Sequence, residues 1–421
     1  MVYREGRKLC VGFVGYGHRG VAQLSALLSM PDVQVVAVCD FYQDRADCAG
    51  AAVAEKSGKK PFVTTDYREI LAMPDVEAVV IVTSWQTHAR IAVAAMKAGK
   101  HVGMEVSGAS SLEECWHLVR TAEDTGRTCM MLENCCYGKV EMQILNMVKK
   151  GLFGELVHCQ GGYQHDLRSE IGRGDKERHY RQDNFISRNG EVYPTHELGP
   201  IAKLLDINRG NRMLTLTSMA SKAVGLHEWL KVNRPGEALS ETRINQADIV
   251  TTMIKCANGE TICLLHDCSL PRPYSRGGRV QGTKGIWMED NASMYIEGLS
   301  PLSEREWEHG AWEPLANHPE FEHPLWKEYA EFGVRGEHDG MDYLVMRAFI
   351  ESVQNGTTAP IDVYDTASWM AITCLSEASI AMGSMPVAIP DFTDGEWVRR
   401  DPLTPSCYAL DDVYEDLYGK E

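Results

Sequence analysis

The chain has 421 residues, of which 44% are hydrophobic and 24% are charged, so it is long enough to form two domains with full hydrophobic cores. Its 59 acidic residues outnumber its 42 basic residues and give a formal net charge of −17, which argues against nucleic acid or an anionic membrane as a partner. No apolar stretch approaches the roughly 20 residues that a membrane span requires.

The cysteines and the N-terminus indicate the cellular compartment. The 13 cysteines are scattered, mostly in apolar runs typical of buried, reduced thiols. Neither Cys135-Cys136 nor the Cys256/Cys263/Cys268 group has the paired short spacing of a zinc site. The first eight residues are charged and contain no signal-peptide core. We expect a cytoplasmic protein without a metal site; removal of an export signal upstream is the alternative.

Short apolar strands alternate with amphipathic helices from Leu9 to about Asn134. Strands are predicted at Leu9–Val14, Val33–Cys39, Val76–Thr83, His101–Glu105 and Thr128–Leu132, and helices at Thr87–Gly99 and Ser111–Gly126. This alternation predicts a parallel sheet that is covered on both faces by helices.

The first strand ends in the motif Gly15-x-Gly17-x-x-Gly20, with Tyr16, His18 and Arg19 between the glycines. Glycines at these spacings allow a tight turn, close approach of a pyrophosphate and close packing of helix on strand. Asp40 ends the second strand, at the spacing of a carboxylate that binds a ribose 2′-hydroxyl and repels a 2′-phosphate. The pattern predicts an NAD-binding Rossmann domain.

The turn Ser84-Trp85-Gln86-Thr87-His88 follows the next central strand, where a nucleotide cleft opens at the strand ends. Ser84, Trp85 and His88 are therefore candidate cofactor-binding residues. Two alternatives stay open: His88 caps the helix that begins there, and Trp85 fills the rim of the cleft instead of stacking on the nicotinamide.

Strands dominate after Tyr137. A helix is predicted at Val140–Lys150, and strands at Glu155–Gln164, Met213–Ala220, Ala247–Cys256, Thr261–Ser269, Gly277–Gln281, Gly285–Glu289 and Ser293–Glu297. Helices are predicted at Met341–Asn355 and Tyr364–Met382, with a surface excursion over Pro301–Gly336. Consecutive strands with tight turns predict a mostly antiparallel open sheet. The expected fold class is α/β: a Rossmann domain over residues 1–136, then an α+β substrate and oligomerisation domain over 137–421. In one alternative, the C-terminal segment returns to the Rossmann domain.

The glycine motif, the Ser84–His88 turn and the strand that ends at Glu105 resemble the glucose–fructose oxidoreductase/inositol dehydrogenase family. Several further blocks resemble glycoside hydrolase family 109, the NAD-dependent α-N-acetylgalactosaminidases: His101–Val106, Leu132–Gly138, Tyr163–Arg168, Asn189–His196, Leu198–Ala202, Ser269–Arg276 and His323–Trp326. The blocks Tyr193-Pro-Thr-His196 and Pro271-Arg-Pro-Tyr-Ser-Arg276 are the most specific. The likeness extends from about residue 8 to residue 385.

This resemblance implies a redox-neutral glycosidase. A hydride is removed from C3 of the sugar, the C1 substituent leaves by elimination across C1–C2, water adds, and the hydride is returned. The implied catalytic residues are His196, Tyr193, Tyr274 and Tyr137. Glu105 and Asn134 are implied to bind the cofactor, whereas His165, Arg168 and Glu197 are implied to bind the sugar.

Departures from the related patterns keep other functions open. Val106 and Val192 stand where the dehydrogenases of this fold have a catalytic lysine and an aspartate, so a net sugar or cyclitol dehydrogenase is the second hypothesis. A non-catalytic sugar or NAD sensor is the third. Glu197 replaces the glycine usual after the histidine, and we expect it to change the sugar preference. An ion pair that holds the loop explains His165, Asp166 and Arg168 equally well.

Overall fold

The computed structural model describes residues 7–305, 307–336 and 338–418. Its first sheet has six strands: Leu9–Val14 (β1), Val33–Cys39 (β2), Phe62–Thr64 (β3), Ala78–Ile81 (β4), His101–Met104 (β5) and Cys129–Met131 (β6). All are parallel, in the order β3-β2-β1-β4-β5-β6. The helices between them are His18–Leu28 (α1), Gln43–Ser57 (α2), Tyr67–Ala72 (α3), Trp85–Lys97 (α4) and Leu112–Thr125 (α5). The predicted parallel sheet is confirmed.

The apolar composition of the strands in the first sheet follows from burial on both faces. Every residue of β4 is completely buried, because a central parallel strand with helices on both sides reaches no solvent. The helix α5 begins where its sequence predicts: the hydroxyl of Ser111 accepts the N–H of Glu114, and Gly126 ends the helix in the left-handed conformation. The carboxylate of Glu114 accepts the N–H of Ser110, one residue before the usual partner in a capping box.

The second sheet has nine strands, with bounds within about two residues of most predicted ones: Leu156–Gln164 (β7), Met213–Ala220 (β8), Ile249–Cys256 (β9), Thr261–Asp267 (β10), Arg279–Gly282 (β11), Gly285–Met288 (β12), Ser293–Ile296 (β13), Glu313–Pro314 (β14) and Val387–Ala388 (β15). Their order is β14-β13-β12-β11-β7-β10-β9-β8-β15. Neighbours are antiparallel except for β7 and β10, which are parallel. The mostly antiparallel open sheet is thus confirmed.

The helices of this second half are Lys139–Lys149 (α6), Arg168–Gly172 (α7), Gly174–Glu177 (α8), Arg181–Ser187 (α9), Thr195–Leu204 (α10), Gly225–Asn233 (α11), Pro324–Phe332 (α12), Met341–Asn355 (α13) and Val363–Ala381 (α14). Short 3₁₀ turns lie at Asn134–Tyr137, Ala238–Glu241, Leu315–Asn317, Pro319–Phe321, His338–Gly340, Glu396–Val398 and Glu415–Leu417. Helix α13 packs on α1, and α14 packs between α5 and β8. These contacts favour the alternative in which the C-terminal segment returns to the Rossmann domain. Across the described residues, no helix combines the length and apolarity needed to cross a membrane.

The predicted surface excursion over Pro301–Gly336 is only partly correct. Leu302 and Trp307 are exposed, as expected of a surface loop. Helix α12 lies within the same stretch, however, and buries Leu325, Trp326 and Tyr329. The indole N–H of Trp326 donates to the carbonyl of Tyr137. The sequence pattern did not predict this helix, because only three of its residues are buried and the surrounding stretch is rich in Pro, Glu and Trp.

Candidate active site at the junction of the two sheets

The glycine-rich loop has the steric properties that its sequence predicts. Gly15 has a φ of +103°, and a Cβ there would lie 2.3 Å from the carbonyl oxygen of Val82. A Cβ on Gly20 would lie 2.3 Å from the carbonyl oxygen of Gly15. A Cβ on Gly17 would meet only the guanidinium of Arg45, at 3.5 Å. The first and third glycines thus permit the turn and the packing, and the second leaves open space for a phosphate.

Asp40 lies at the end of β2, directly beside this loop. Its two carboxylate oxygens accept the backbone N–H groups of Tyr16, at 2.7 Å, and Tyr42, at 2.9 Å. These bonds fix the carboxylate at the mouth of the loop and leave further lone pairs for a ligand. The loop leads into α1, whose N-terminus favours an anion, and His18 at the start of this helix is exposed. The residues present therefore fit a dinucleotide.

Arg19 connects the loop to the C-terminal helix α13. Its guanidinium donates two hydrogen bonds to Asp342, at 2.6 and 2.7 Å, and its Nε donates to Glu105 at 3.0 Å. The amide of Asn134 also donates to Asp342, at 2.8 Å. The structure therefore brings three predicted cofactor residues, Arg19, Glu105 and Asn134, into one buried ion network. Among the described residues, the side chains of Arg19, Glu105 and Asn134 hydrogen-bond within this network. They therefore shape the floor of the cleft.

The turn at the start of α4 contributes one aromatic side chain to the site. The ring of Trp85 lies 5.3 Å from that of Tyr193 and 4.9 Å from that of Tyr180. Ser84 occupies the N-cap position of α4. His88 is buried inside the helix, where its Nε2–H donates to the carbonyl of Thr83, and burial lowers the pKa of its imidazole to about 4. A buried neutral histidine in this position holds the turn in place and does not reach the cleft.

A carboxylate, an imidazole and a phenol form a hydrogen-bonded chain in the centre of the site. The Nδ1–H of His196 donates to Glu133 at 2.7 Å, and the hydroxyl of Tyr193 lies 3.2 Å from Nε2 of the same ring. Glu133 is completely buried. Burial acts to raise the pKa of the Glu133 carboxyl, but the charge and hydrogen bond of His196 outweigh it and lower the pKa. Because the carboxylate only accepts, Nδ1 of His196 carries a proton, and in the neutral imidazole Nε2 then accepts from the Tyr193 hydroxyl.

Other aromatic rings surround this Glu133–His196–Tyr193 chain. Tyr163, at the end of β7, lies 4.5 Å from the ring of Tyr193 and 5.4 Å from that of His196. The rings of His165 and Tyr274 lie 5.1 Å apart, and Tyr163 lies 6.3 Å from Tyr274. The structure thus gathers four predicted residues, Tyr193, His196, His165 and Tyr274. A wall of aromatic rings around a proton-accepting imidazole suits a sugar, whose faces are apolar and whose edges carry hydroxyls.

Three residues of the site were not predicted as such. Glu133 and Tyr163 lie inside blocks that carry the family resemblance, but a buried carboxylate at a strand end has no local signature. Arg181, at the start of α9, lies 5.1 to 5.7 Å from the rings of Tyr193, Trp85 and Tyr163. It also pairs with Glu170 at 3.2 Å. Its guanidinium is the cation of the aromatic wall, and the short helices α7 to α9 that carry it have no clear periodicity.

Two residues predicted at the sugar pocket make other contacts. Arg168 forms a two-bond ion pair with Asp166, at 2.7 and 2.8 Å, which is the loop-holding contact that the sequence left as an alternative. Glu197 packs between α10 and β7 over Gly161. Its Oε2 lies 3.9 Å from Nε of Arg276, and burial raises the pKa of its carboxyl well above the usual value. The expected direct contact of Glu197 with a sugar is not supported, because the helix turns this side chain toward the sheet.

Tyr137 is not part of the cluster either. It is completely buried, and its hydroxyl donates to the carbonyl of Tyr408 at 2.8 Å. With its only proton engaged in the core, it has none to exchange with a substrate, so the structure does not support a catalytic role.

Glu133, Cys135 and His196 bring three potential metal-ligand atoms within 4.8 Å of one another. The guanidinium of Arg276 lies 3.0 Å from the sulfur of Cys135. A fixed positive charge at this distance opposes a metal cation. The geometry favours use of Glu133 and His196 as a proton-transfer pair.

Comparison with known proteins matches both halves of the chain. The family described as an oxidoreductase family with an NAD-binding Rossmann fold matches residues 9–133, and the C-terminal domain of glycosyl hydrolase 109 matches residues 137–399. A glycosyl hydrolase family 109 protein of Stenotrophomonas maltophilia (strain K279a) is 42% identical over 438 residues, covering 98% of this chain and 94% of that protein. An alpha-N-acetylgalactosaminidase of Tannerella forsythia is 40% identical, covering 93% of this chain and 87% of its own length.

The solved structures add a likeness of fold. A levoglucosan dehydrogenase in complex with NADH and levoglucosan superposes with a TM-score of 0.65 at 18% identity, and the match covers 91% of this chain and all of that one. At this identity the likeness concerns the arrangement of the two sheets alone.

Proposed function

The chain belongs to glycosyl hydrolase family 109, and from this premise we propose that it is an NAD-dependent glycosidase that cleaves a hexoside without net oxidation. The observation that carries the proposal is the Glu133–His196–Tyr193 chain at the junction with the dinucleotide site. Its relative in Tannerella forsythia is named an alpha-N-acetylgalactosaminidase, and an α-N-acetylgalactosaminide is therefore the first substrate class to test.

NAD⁺, when bound, would accept a hydride from C3 of the sugar and later return it to the same carbon. The carbonyl then present at C3 acidifies the hydrogen at C2. In this proposal, Tyr193 and His196 take protons from the C3 hydroxyl and from C2. The contact of the Tyr193 phenol with an imidazole whose other nitrogen is held by Glu133 supports these roles. The hydroxyl of Tyr274, at the outer side of the cluster, serves the oxygen that leaves C1.

Asp40 supports NAD as the cofactor in preference to NADP. A carboxylate at the end of β2 accepts a hydrogen bond from a ribose 2′-hydroxyl and repels a 2′-phosphate. The backbone N–H groups of Tyr16 and Tyr42 hold this carboxylate in place, so it cannot turn away from a phosphate without losing both bonds.

A net sugar or cyclitol dehydrogenase is the competing function, and the fold shared with levoglucosan dehydrogenase is the observation that favours it. Against it stands Val106, which is buried at the position where such enzymes have the lysine that polarises the reacting hydroxyl. An apolar side chain cannot perform that task.

The two functions separate in one assay. A series of α- and β-nitrophenyl glycosides is incubated with the purified protein while nitrophenol release and the NADH absorbance band are followed together. The proposal predicts nitrophenol release in large excess over the enzyme without net NADH. Stoichiometric NADH without cleavage would identify a dehydrogenase, and absence of both over the whole series would favour a non-catalytic sensor.

The open face of the second sheet supports a homo-oligomer. Along β9, the buried side chains Val250, Thr252 and Ile254 alternate with the more exposed Thr251, Met253 and Lys255, and Met219 on β8 is 65% exposed. A sheet face with exposed methionines suits contact with a second copy. Light scattering of the wild type and of Met219→Lys tests this: the proposal predicts a smaller particle for the variant.

A further inference from the structure

Residues 173–181 form a segment, here called the strap, that belongs to the second half of the chain but lies on the first. Its base is fixed by Arg234 of the loop after α11, whose guanidinium bonds to Asp175 at 2.6 and 2.9 Å and to the carbonyl of Gly172 at 2.7 Å. Lys176 pairs with Glu237 at 3.0 Å. The strap is therefore anchored to the C-terminal domain at one side.

At its tip, the strap contacts the part of the Rossmann domain that directly follows Asp40. Arg178 bonds to the carboxylate of Asp44 at 2.8 and 3.0 Å, and its guanidinium lies 4.3 Å from the ring of Tyr42. Arg178 has a φ of +56°, a left-handed conformation that is unfavourable for a residue with a Cβ and persists where surrounding contacts fix it. These contacts hold the tip on the rim where the adenosine would bind.

A second contact continues from the tip to the glycine-rich loop. Arg45 of α2 donates to the carbonyl of Glu177 in the strap at 3.0 Å. The same guanidinium is the group that a Cβ on Gly17 would meet at 3.5 Å. Arg45 therefore joins the strap to the open space that the second glycine leaves for a phosphate.

The strap ends at the opposite side of the cleft. Tyr180 packs on Trp85, with ring centroids 4.9 Å apart, and Arg181 then enters the aromatic wall of the site. A segment of nine residues thus contacts both ends of the dinucleotide site, the ribose end through Asp44 and the nicotinamide end through Trp85.

We propose that the strap completes the dinucleotide site and retains the cofactor through many turnovers, with Arg178 and Asp44 as the positioning pair that keeps it closed. A dinucleotide lying along Gly15–Gly20 leaves only after the tip of the strap separates from Asp44 and Tyr42. A reaction that returns its hydride has no need to exchange the cofactor, whereas a net dehydrogenase must release it in every cycle. The retention itself rests on the dinucleotide site and stands independently of the glycosidase activity.

Release of the cofactor measures this directly. Protein loaded with NADH is mixed with a large excess of NAD⁺, and the loss of bound NADH fluorescence gives the dissociation rate. Arg178→Ala and Asp44→Asn are compared with Arg68→Ala, which removes another surface arginine–aspartate pair, with Asp66, elsewhere on the Rossmann domain. We expect release about tenfold faster in the two strap variants and an unchanged rate in Arg68→Ala.

Two further measurements distinguish loss of the Arg178–Asp44 ion pair from a general disturbance of the fold: the salt dependence of release and a charge-swap variant. Higher ionic strength screens an exposed pair, so it should speed release from the wild type and have a smaller effect on Arg178→Ala. The double variant Asp44→Arg/Arg178→Asp should restore slow release. Equal rates and equal salt dependence in the wild type and both single variants would overturn the proposal, whether or not any glycoside is cleaved. Slow release from the wild type without glycoside cleavage would leave the strap supported and remove the proposed function instead.

Discussion

The glycine-rich loop and the aromatic site beyond it form two sides of one cleft but are built in opposite ways. The loop is a run of six consecutive residues, Gly15 to Gly20, whose shape depends on short-range steric contacts. The aromatic site takes Glu133 from a strand end, Tyr163 from β7, Tyr193 from the loop before α10 and His196 from the first turn of α10. Nothing in the sequence near any one of these residues requires the others.

This difference explains where tolerance to substitution should lie. At Gly15 and Gly20, a single added methyl group meets backbone atoms, so these two positions of the loop are sensitive to size. In the aromatic site, the side chains are joined by hydrogen bonds and ring contacts, so the site is sensitive to the loss of a proton or of an acceptor.

The largest effect is expected at the proton-transfer chain. His196→Ala and Tyr193→Phe should each lower turnover by about 10²–10⁴, the usual contribution of a general acid–base group, while the folded protein keeps its bound dinucleotide. His196→Ala should also lower the melting temperature, because it leaves the buried Glu133 carboxylate without its partner. Glu133→Gln should give a smaller loss, because the imidazole keeps its place but loses its carboxylate acceptor. Tyr137→Phe is the control that removes a core hydroxyl, and it should lower stability and leave the rate per folded molecule unchanged. Normal turnover in His196→Ala would show that the chain is structural.

The next effect concerns the loop. Gly15→Ala adds a Cβ 2.3 Å from a carbonyl oxygen at a φ of +103°, and we expect destabilisation of at least about 1–3 kcal/mol together with loss of dinucleotide binding. Gly99→Ala is matched to it, since Gly99 also has a positive φ, +79°, but no atom within 4 Å of the added Cβ. Calorimetry and extraction of bound cofactor should separate the two. Equal behaviour of both variants would mean that backbone conformation alone, without the clash, sets the loop's sensitivity.

A smaller effect, spread between about pH 4.5 and pH 8, is expected at Glu191, in the loop before Tyr193. Glu191 is 1% exposed, and within the described part of the chain neither carboxyl oxygen has a hydrogen-bond partner. Burial raises the pKa of this carboxyl to about 8, in contrast to that of Glu133, which His196 lowers. The folded protein therefore keeps the proton while the unfolded chain releases it, so this group's stabilising contribution is complete below pH 4.5 and is lost as the pH rises to about 8.

Glu191→Gln removes this dependence. Between these two pKa values, the slope of unfolding free energy against pH should become less negative by at most about 1.4 kcal/mol per pH unit. Denaturant unfolding at several pH values measures the slope, with Glu55→Gln, a substitution of an exposed glutamate on α2, as the control. A wild-type slope retained in Glu191→Gln would show that the carboxyl is hydrated or paired in solution.

The sequence was sufficient for the fold because its information is periodic and local. Most strands of both sheets, the helix Met341–Asn355 and the glycine-rich loop follow from spacing and turn residues, whereas the short strands β3, β14 and β15 were not predicted. Helix α12 was missed because a short helix with three buried residues is hidden among Trp, Glu and Pro.

The site was only partly predictable, because its side chains come together through tertiary packing and not through local sequence patterns. The family resemblance identified His196, Tyr193 and Tyr274, but the direction of a side chain depends on how its helix packs. Glu197 is adjacent to His196 in sequence and faces the sheet, and Tyr137 lies in a matching block and bonds to the core. Arg181 enters the site from a strap that tertiary contacts alone hold in place.

In the proposed mechanism, C2 of the sugar loses its hydrogen while the bond at C1 is cleaved, and hydrolysis in D₂O detects this loss. The C3 carbonyl makes the C2 hydrogen acidic, and the Tyr193–His196 pair exchanges protons with solvent. We expect deuterium at C2 of the released sugar, detected by NMR or mass spectrometry, with no accumulation of NADH. Released sugar without deuterium at C2 would contradict it, because direct displacement at C1 leaves the C2–H bond intact.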